Sequence, residues 1–179
     1  MKLRLIQLAT LLGLVAAGSA ALAQDIHERV IKFGHLNNPD HPTSTGVKKF
    51  AELVAAKSGG KIKVQEYPSS QLGNELQQQS ALVGGVQEML VASTTSLAGV
   101  VKEFGLLDFP FLFSNARQAD AMVDGPLGKA LSARLADKGI IVLGFFDLGF
   151  RNVTNSKRPI TKGEDAEGLK LRVIPNPVF

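Results

Sequence analysis

Hydrophobic positions along the chain switch between a period of two residues and a period near 3.6, which predicts alternating strands and helices. Residues 30–35 alternate apolar and polar side chains and run into the loop NNPDHP, a pattern typical of a strand that ends in a turn. The next apolar residues recur at helical spacing, with residues 43–45 as N-cap candidates and residues 58–60 as the stop. Residues 62–67 alternate again, so the pattern predicts a parallel strand-helix-strand unit.

The remainder of the chain continues this alternation. The pattern predicts a helix over about 74–83 and a strand over 86–91, and then helices that begin after Asn115 and at Pro126. Between them lies an apolar run over 104–113, which we expect to be buried with Phe109, Phe111 and Phe113 as core residues. Further strands are predicted at 140–146, near Phe150 and at 169–173. The continuous apolar run at 140–146 is typical of a strand covered on both faces. The pattern therefore predicts an α/β fold.

The amino terminus has the pattern of a secretory signal peptide, which we assign to residues 1–23. Lys2 and Arg4 precede an apolar run over residues 5–17, and Ala21-Leu22-Ala23 is a small-x-small cleavage site. A membrane anchor is the alternative, but the run is shorter than the roughly 20 residues that a spanning helix needs. We expect an exported, periplasmic protein that does not span the membrane after cleavage.

Composition removes several function classes. Cleavage would remove two of the four net positive charges, and no stripe of Lys and Arg interleaved with aromatic residues follows, so we expect no nucleic-acid partner. The chain has no cysteine, which excludes thiol nucleophiles and cysteine-ligated zinc. His27, His35 and His41 lack metal-ligand spacing, and GxGxxG, P-loop, GxSxG and HExxH motifs are absent. We predict no cofactor, no metal and no catalytic residue.

Two arginines occupy unusual positions in the last third of the chain. Arg151 follows Gly149-Phe150, and Arg172 stands between Leu171 and Val173 in a predicted strand. A guanidinium among apolar residues needs a partner, either a protein carboxylate or an anion from outside. The carboxylates that could pair with Arg172 are Glu164, Asp165 and Glu167.

In open α/β sheets ligands bind beyond the carboxyl ends of the strands. This rule marks four stretches as candidate binding positions: residues 35–37, 67–75, 93–94 and those after 146.

Six motifs, taken in order, closely resemble one protein family. They are FGH at 33–35, YPSSQLGNE at 67–75, LDFPFLF at 107–113, GFR at 149–151, TNSKRPI at 154–160 and GLKLRV at 168–173. The family comprises the solute receptors of tripartite ATP-independent periplasmic (TRAP) transporters, of the dicarboxylate-binding type. The resemblance implies a two-lobed periplasmic-binding-protein fold, with a first lobe over residues 24–146 and the start of a second lobe over 147–179.

The resemblance also implies a function. Family members close around an organic acid, commonly a C4-dicarboxylate or related carboxylate, and deliver it to the membrane subunits of a permease. A binding protein that reports to a sensor is an alternative. A periplasmic enzyme acting on organic acids is a less favoured one, because no base, nucleophile or metal is evident near Arg172. We therefore do not expect an enzyme.

By resemblance, Arg172 is the residue that clamps the ligand carboxylate, and Arg151 contacts the ligand or supports Arg172. The other residues assigned to the ligand site by resemblance are Asn74, Glu75, Ser93, Thr94, Asn176, His35 and Asn37. Structural alternatives stay open for several of them: Arg151 could form an internal ion pair, and Glu75 could be a solvated acid at the start of a helix. Because family members usually continue well beyond the position of Phe179, we expect the second lobe to be incomplete in this sequence.

Overall fold

A computed structural model describes residues 26–174 of the protein. Its strands are β1 (Arg29–Gly34), β2 (Ile62–Tyr67) and β3 (Met89–Leu90). Its helices are α1 (Pro42–Lys57), α2 (Glu75–Val83), α3 (Thr94–Leu97), α4 (Ala116–Val123) and α5 (Pro126–Ala136), together with 3-10 helices at Lys102–Asp108 and Gly163–Ala166. The predicted signal peptide and Asn176 lie outside the described residues.

The three strands form one parallel sheet in the order β2-β1-β3. β1 pairs with β2 from Arg29 opposite Ile62 to Gly34 opposite Tyr67. β3 pairs with only the last two residues of β1, so the predicted strand over 86–91 is much shorter than expected. The α/β prediction is confirmed. Because β3 lies on the opposite side of β1 from β2, the strand order reverses between β1 and β3, where α/β sheets open a crevice at their carboxyl edge.

Helices α1 and α2 begin with different caps. The α1 cap is His41, whose Nδ1 accepts the N–H of Thr43 at 3.1 Å. The prediction of a cap at 43–45 is wrong, because Pro42 has a fixed φ and no N–H and therefore starts the helix itself. Asn74 caps α2 in a capping box: its side chain accepts the N–H of Gln77 at 3.0 Å, and Gln77 accepts the N–H of Asn74 at 2.8 Å.

The main hydrophobic core lies between the first 3-10 helix and α5. Its buried members are Val101, Phe104, Leu131, Leu135 and Ile140. A second contact joins the sheet to α1, where the rings of Phe33 and Phe50 meet edge to face at 5.8 Å. These contacts place α1 against the sheet and α5 beneath the 3-10 helix, which fixes the loops between them.

The apolar run over 104–113 is only partly buried. Phe104 is fully buried, but Phe109 is 55% exposed and Phe111 is completely exposed. The prediction of Phe109 and Phe111 as core residues is therefore wrong, while Phe113 is half-buried. The 3-10 helix ends at Asp108, and the next residues form a turn in which Leu112 N–H donates to Phe109 O at 3.4 Å, with both rings on the surface.

The strands predicted at 140–146, near Phe150 and at 169–173 do not form. Ile140 joins the core, but Ile141, Leu143 and Phe146 are each more than half exposed. Hydrophobic sequence alone does not make a strand, because its N–H and C=O groups need a neighbouring strand. Within residues 26–174 no segment pairs with these stretches.

The same part of the chain contains no helix with the length and hydrophobicity to cross a membrane.

Candidate functional site

Loops from all three strands meet at the carboxyl edge of the sheet. Three backbone hydrogen bonds join them: His35 N to Tyr67 O at 3.1 Å, Ser69 N to Asn37 O at 2.9 Å, and Val91 N to Gly34 O at 3.1 Å. Ser69 and Ser70 both have positive φ, at 51° and 61°, a conformation that non-glycine residues rarely adopt. The sequence-predicted loops 35–37, 67–75 and 93–94 therefore lie at one edge.

A buried polar network sits directly beneath this edge. The Nε2 of His35 lies 2.9 Å from Glu66 Oε1, and the hydroxyl of Ser44 donates to the same oxygen. Lys48 Nζ lies 3.9 Å from the other carboxylate oxygen. Because an ionised carboxylate only accepts hydrogen bonds, Nε2 carries the proton. His35 has no exposed surface, and its Nδ1 has no hydrogen-bond partner among the described residues.

This network sets the charge of Glu66. Burial alone would raise the pKa of the Glu66 carboxyl, but hydrogen bonds from Ser44 and His35 and the positive charge of Lys48 outweigh burial and hold the pKa below its ordinary value of 4.5. Glu66 therefore carries a negative charge at neutral pH and orients both donors.

The low pKa of Glu66 predicts a specific pH dependence of folding stability. The folded state binds this proton less tightly than the unfolded state, so the stabilisation is present above about pH 4.5 and is lost as the pH falls through the folded pKa. We expect Glu66→Gln to lower the free energy of unfolding by about 2 kcal/mol at pH 7. The deficit should shrink between about pH 5 and pH 3 in urea unfolding. A deficit that stays constant over this range would contradict the assignment.

Glu75 connects the start of α2 to the loop after β3. Its side chain is buried at 9% exposure, and its carboxylate accepts the backbone N–H of Ser93. Ser93 in turn caps α3, because its Oγ accepts the N–H of Ser96 at 3.2 Å. Glu75 is thus not the solvated helix-start acid that the sequence left open. It holds the hydroxyl-rich turn in place.

Arg151 reaches this same turn. Its Nη2 donates to Thr95 Oγ1 at 2.7 Å, and Thr95 donates to Asp108 Oδ1 at 2.5 Å. Thr95 is fully buried, whereas the arginine side chain is exposed overall. The structure therefore joins Arg151, Ser93 and Thr94 through one short helix, α3.

Arg172 is exposed, and no hydrogen bond or ion pair joins it to another residue of 26–174. The carboxylate of Asp165 instead accepts hydrogen bonds from the N–H groups of Thr161 and Lys162, at 2.9 and 3.1 Å. The hydrogen bonds from Thr161 contribute most to lowering the pKa of the Asp165 carboxyl. Arg158 donates Nε to the backbone oxygen of Asp165 at 2.9 Å. No ion pair from Arg172 to Glu164, Asp165 or Glu167 is therefore present.

The remaining predicted residues lie in different surroundings. Asn74 is exposed and engaged in its cap, and Asn37 is half-buried and accepts Ser69 N through its carbonyl. Asn176 is outside the described residues. The structure thus places Asn37, Ser93 and Thr94 at one edge, with the side chains of His35 and Glu75 buried beneath it. Among the residues described, no group of three or more His, Asp and Glu side chains could hold a metal ion.

Sequence reasoning missed Glu66, Ser44, Thr95 and Asp108. Two of them had a visible signal. Glu66 falls in phase with Ile62 and Val64, so a carboxylate occupied the apolar face of a strand. Asp108 interrupted an apolar run. An acid at a position that the pattern reserves for hydrophobic residues indicates a buried partner.

Comparison with known proteins decides the family. The sequence model for DctP, the bacterial extracellular solute-binding protein family 7, matches residues 33–179. The chain belongs to this family. The resemblance predicted from the six motifs is confirmed, and the match begins within β1, so it includes every loop of the carboxyl edge.

Two curated relatives are similar to this chain in sequence. The chain is 34% identical to the 2,3-diketo-L-gulonate-binding periplasmic protein YiaO of Escherichia coli over 99% of its own length and 53% of the relative. It is 35% identical to the C4-dicarboxylate-binding periplasmic protein DctP of Rhodobacter capsulatus, and the match covers 92% of this chain and 49% of that protein. The chain spans about half the length of these curated relatives.

Among solved structures, the sugar acid binding protein DctPAm of Advenella mimigardefordensis, in complex with galactonate, superposes with a TM-score of 0.83. The two proteins are 43% identical, and the alignment covers 86% of this chain and 50% of DctPAm. The parallel sheet and its helices therefore have the same fold as the aligned half of DctPAm.

Proposed function

We propose that the protein is the periplasmic solute receptor of a TRAP transporter and that it binds an organic acid. Membership of the DctP family carries this proposal, and the exposed guanidinium of Arg172 supports it. A planar guanidinium offers parallel N–H donors that fit a carboxylate bidentately. With no ion pair to a described carboxylate, Arg172 is available to an anionic ligand.

The relatives narrow the ligand class. YiaO is named for 2,3-diketo-L-gulonate, the Rhodobacter protein for C4-dicarboxylates, and DctPAm holds galactonate. Each ligand carries at least one carboxylate on a short polar skeleton. We therefore propose a sugar acid or a C4-dicarboxylate, bound by Arg172 with the hydroxyls and amides of the carboxyl edge contacting the rest of the molecule.

The role is binding and delivery rather than catalysis. Ser44 and His35 both donate to Glu66, so the serine is not activated by the histidine as a nucleophile would be. The protein's partners in this proposal are the ligand and the membrane subunits of the permease, and residues 1–23 direct its export. A neighbouring gene pair for those subunits would support transport over reporting to a sensor.

Thermal unfolding with a panel of ligands tests this function on the natural gene product that contains these 179 residues. Galactonate, succinate and 2,3-diketogulonate are compared with uncharged sugars. Binding at a hundredfold excess over Kd stabilises the folded state by about 2.7 kcal/mol, which raises Tm by several degrees. The proposal requires that at least one acid does so and is recovered chemically unchanged. A panel in which no acid shifts Tm, or in which the acid is converted, would overturn it.

A further inference from the structure

Thr95 makes two hydrogen bonds that join separate parts of the chain. Its hydroxyl donates to Asp108 Oδ1 at 2.5 Å and accepts from Arg151 Nη2 at 2.7 Å. A threonine hydroxyl has one hydrogen and two lone pairs, so it forms both bonds together. Asp108 ends the first 3-10 helix, whereas Arg151 lies 56 residues beyond Thr95 in sequence. We call Thr95, Asp108 and Arg151 the Arg151 latch.

The part of the latch that contains Thr95 is buried and is joined to its surroundings by several hydrogen bonds. Thr95 is completely buried in α3, and Ser96 beside it is 2% exposed. Ser93 caps the helix with its hydroxyl and donates its own N–H to the buried Glu75. The turn that carries Thr95 is thus held by two contacts that do not involve Arg151.

The other side has little apolar packing to hold it. Leu148 is 61% exposed and Phe150 is 57% exposed, on either side of Gly149, whose φ is +75°. Side chains with that much exposure bury little surface, so they contribute little to the position of this segment. The latch is a bond from a buried group to a segment that is otherwise mostly solvated. Arg172 lies 21 positions beyond Arg151 in the sequence.

We propose that Thr95 and Asp108 are positioning residues that hold Arg151, and with it the segment leading to Arg172, in the arrangement that binds ligand. This inference rests on the proposed function. A segment ordered before binding spares each ligand the entropy of ordering it. The benefit belongs to the protein's conformation rather than to a ligand contact, so it multiplies the affinity for every ligand by the same factor.

Matched substitutions at Thr95 test the latch in the natural gene product. Thr95→Val keeps the shape and removes the hydroxyl, whereas Thr95→Ser keeps the hydroxyl. We expect Thr95→Val to weaken binding of galactonate and of succinate by about tenfold each, measured by calorimetry. Thr95→Ser should stay within about twofold of the wild type, since its hydroxyl can make both bonds. An unchanged Kd in Thr95→Val, or a loss seen with one acid but not with a second acid that also binds, would overturn the inference.

A measurement without ligand separates this inference from the proposed function. The shifts in urea midpoint of Thr95→Val, Arg151→Met and the double variant are compared. In a latch the double variant shifts less than the sum of the single variants, because each substitution breaks the same bond. Additive shifts would overturn the latch even if acids bind. If the wild type binds no acid, the proposed function fails. The non-additivity of the shifts in urea midpoint then decides by itself whether the latch exists.

Discussion

Replacing Arg172 with alanine should weaken carboxylate binding by at least about a hundredfold and leave folding stability nearly unchanged. Truncating one partner of a buried charge pair in a complex costs about 2–5 kcal/mol of binding free energy, and a hundredfold loss of affinity corresponds to about 2.7 kcal/mol, which lies within that range. In the absence of ligand, Arg172 is exposed and makes no bond to another described residue. The expected change in the free energy of unfolding is therefore within about 0.5 kcal/mol.

Two control variants make this result specific to Arg172. Arg172→Lys keeps the charge but loses the bidentate geometry, so we expect a loss of affinity between those of the wild type and Arg172→Ala. Arg117 is exposed on α4, and its side chain makes no hydrogen bond or ion pair to another described residue, so Arg117→Ala removes an equal charge and should leave Kd unchanged. Calorimetric titration with galactonate and succinate measures all three variants. A variant Arg172→Ala that unfolds more easily but binds normally would show that the arginine is structural.

Gly128→Ala should destabilise the fold by about 3 kcal/mol, although alanine is a better helix former than glycine. Gly128 is buried in the first turn of α5, where an added Cβ would lie 1.6 Å from the carbonyl oxygen of Val123. Backbone atoms cannot rotate away as the end of a side chain can, so α5 itself would have to move. α5 contributes Leu131 and Leu135 to the core, and overpacking of this kind typically costs 1–3 kcal/mol.

Gly144→Ala is the matched control for this prediction. A Cβ at Gly144 meets no atom within 4 Å, and its φ lies outside the left-handed region, so the change should stay within about 0.5 kcal/mol. Equilibrium unfolding in urea compares the two variants. If Gly128→Ala were as stable as Gly144→Ala, the close approach of α4 and α5 described here would be wrong.

The sequence predicted those elements whose stabilising contacts are close along the chain. β1 and β2 were predicted to within a residue and α1 to within a few residues at its start, because alternation, helical spacing and Gly-containing stops are local signals. The strand expected at 140–146 failed for the opposite reason. Its apolar residues are real, but a strand also needs hydrogen-bonding partners, and no part of residues 26–174 supplies them.

The sequence predicted which candidate residues share one edge of the sheet but not how they are connected to one another. The carboxyl-edge rule placed residues 35–37 and 93–94 correctly at one edge, since parallel strands all point the same way. It could not show that Glu75 bonds Ser93 or that Arg151 bonds Thr95, because both bonds join segments far apart in sequence. The roles assigned to Arg172 and Asn176 remain predictions from the family resemblance.

Titration of the natural gene product with an acid and its neutral analogue tests the central claim most directly. Galactonate is compared with galactitol, and succinate with succinamide, which keep the carbon skeleton and remove the negative charge. Recognition by an arginine clamp predicts that an acid binds at least about a hundredfold more tightly than its neutral partner. Equal affinities for an acid and its neutral partner would contradict the account, because the carboxylate would then contribute nothing to recognition.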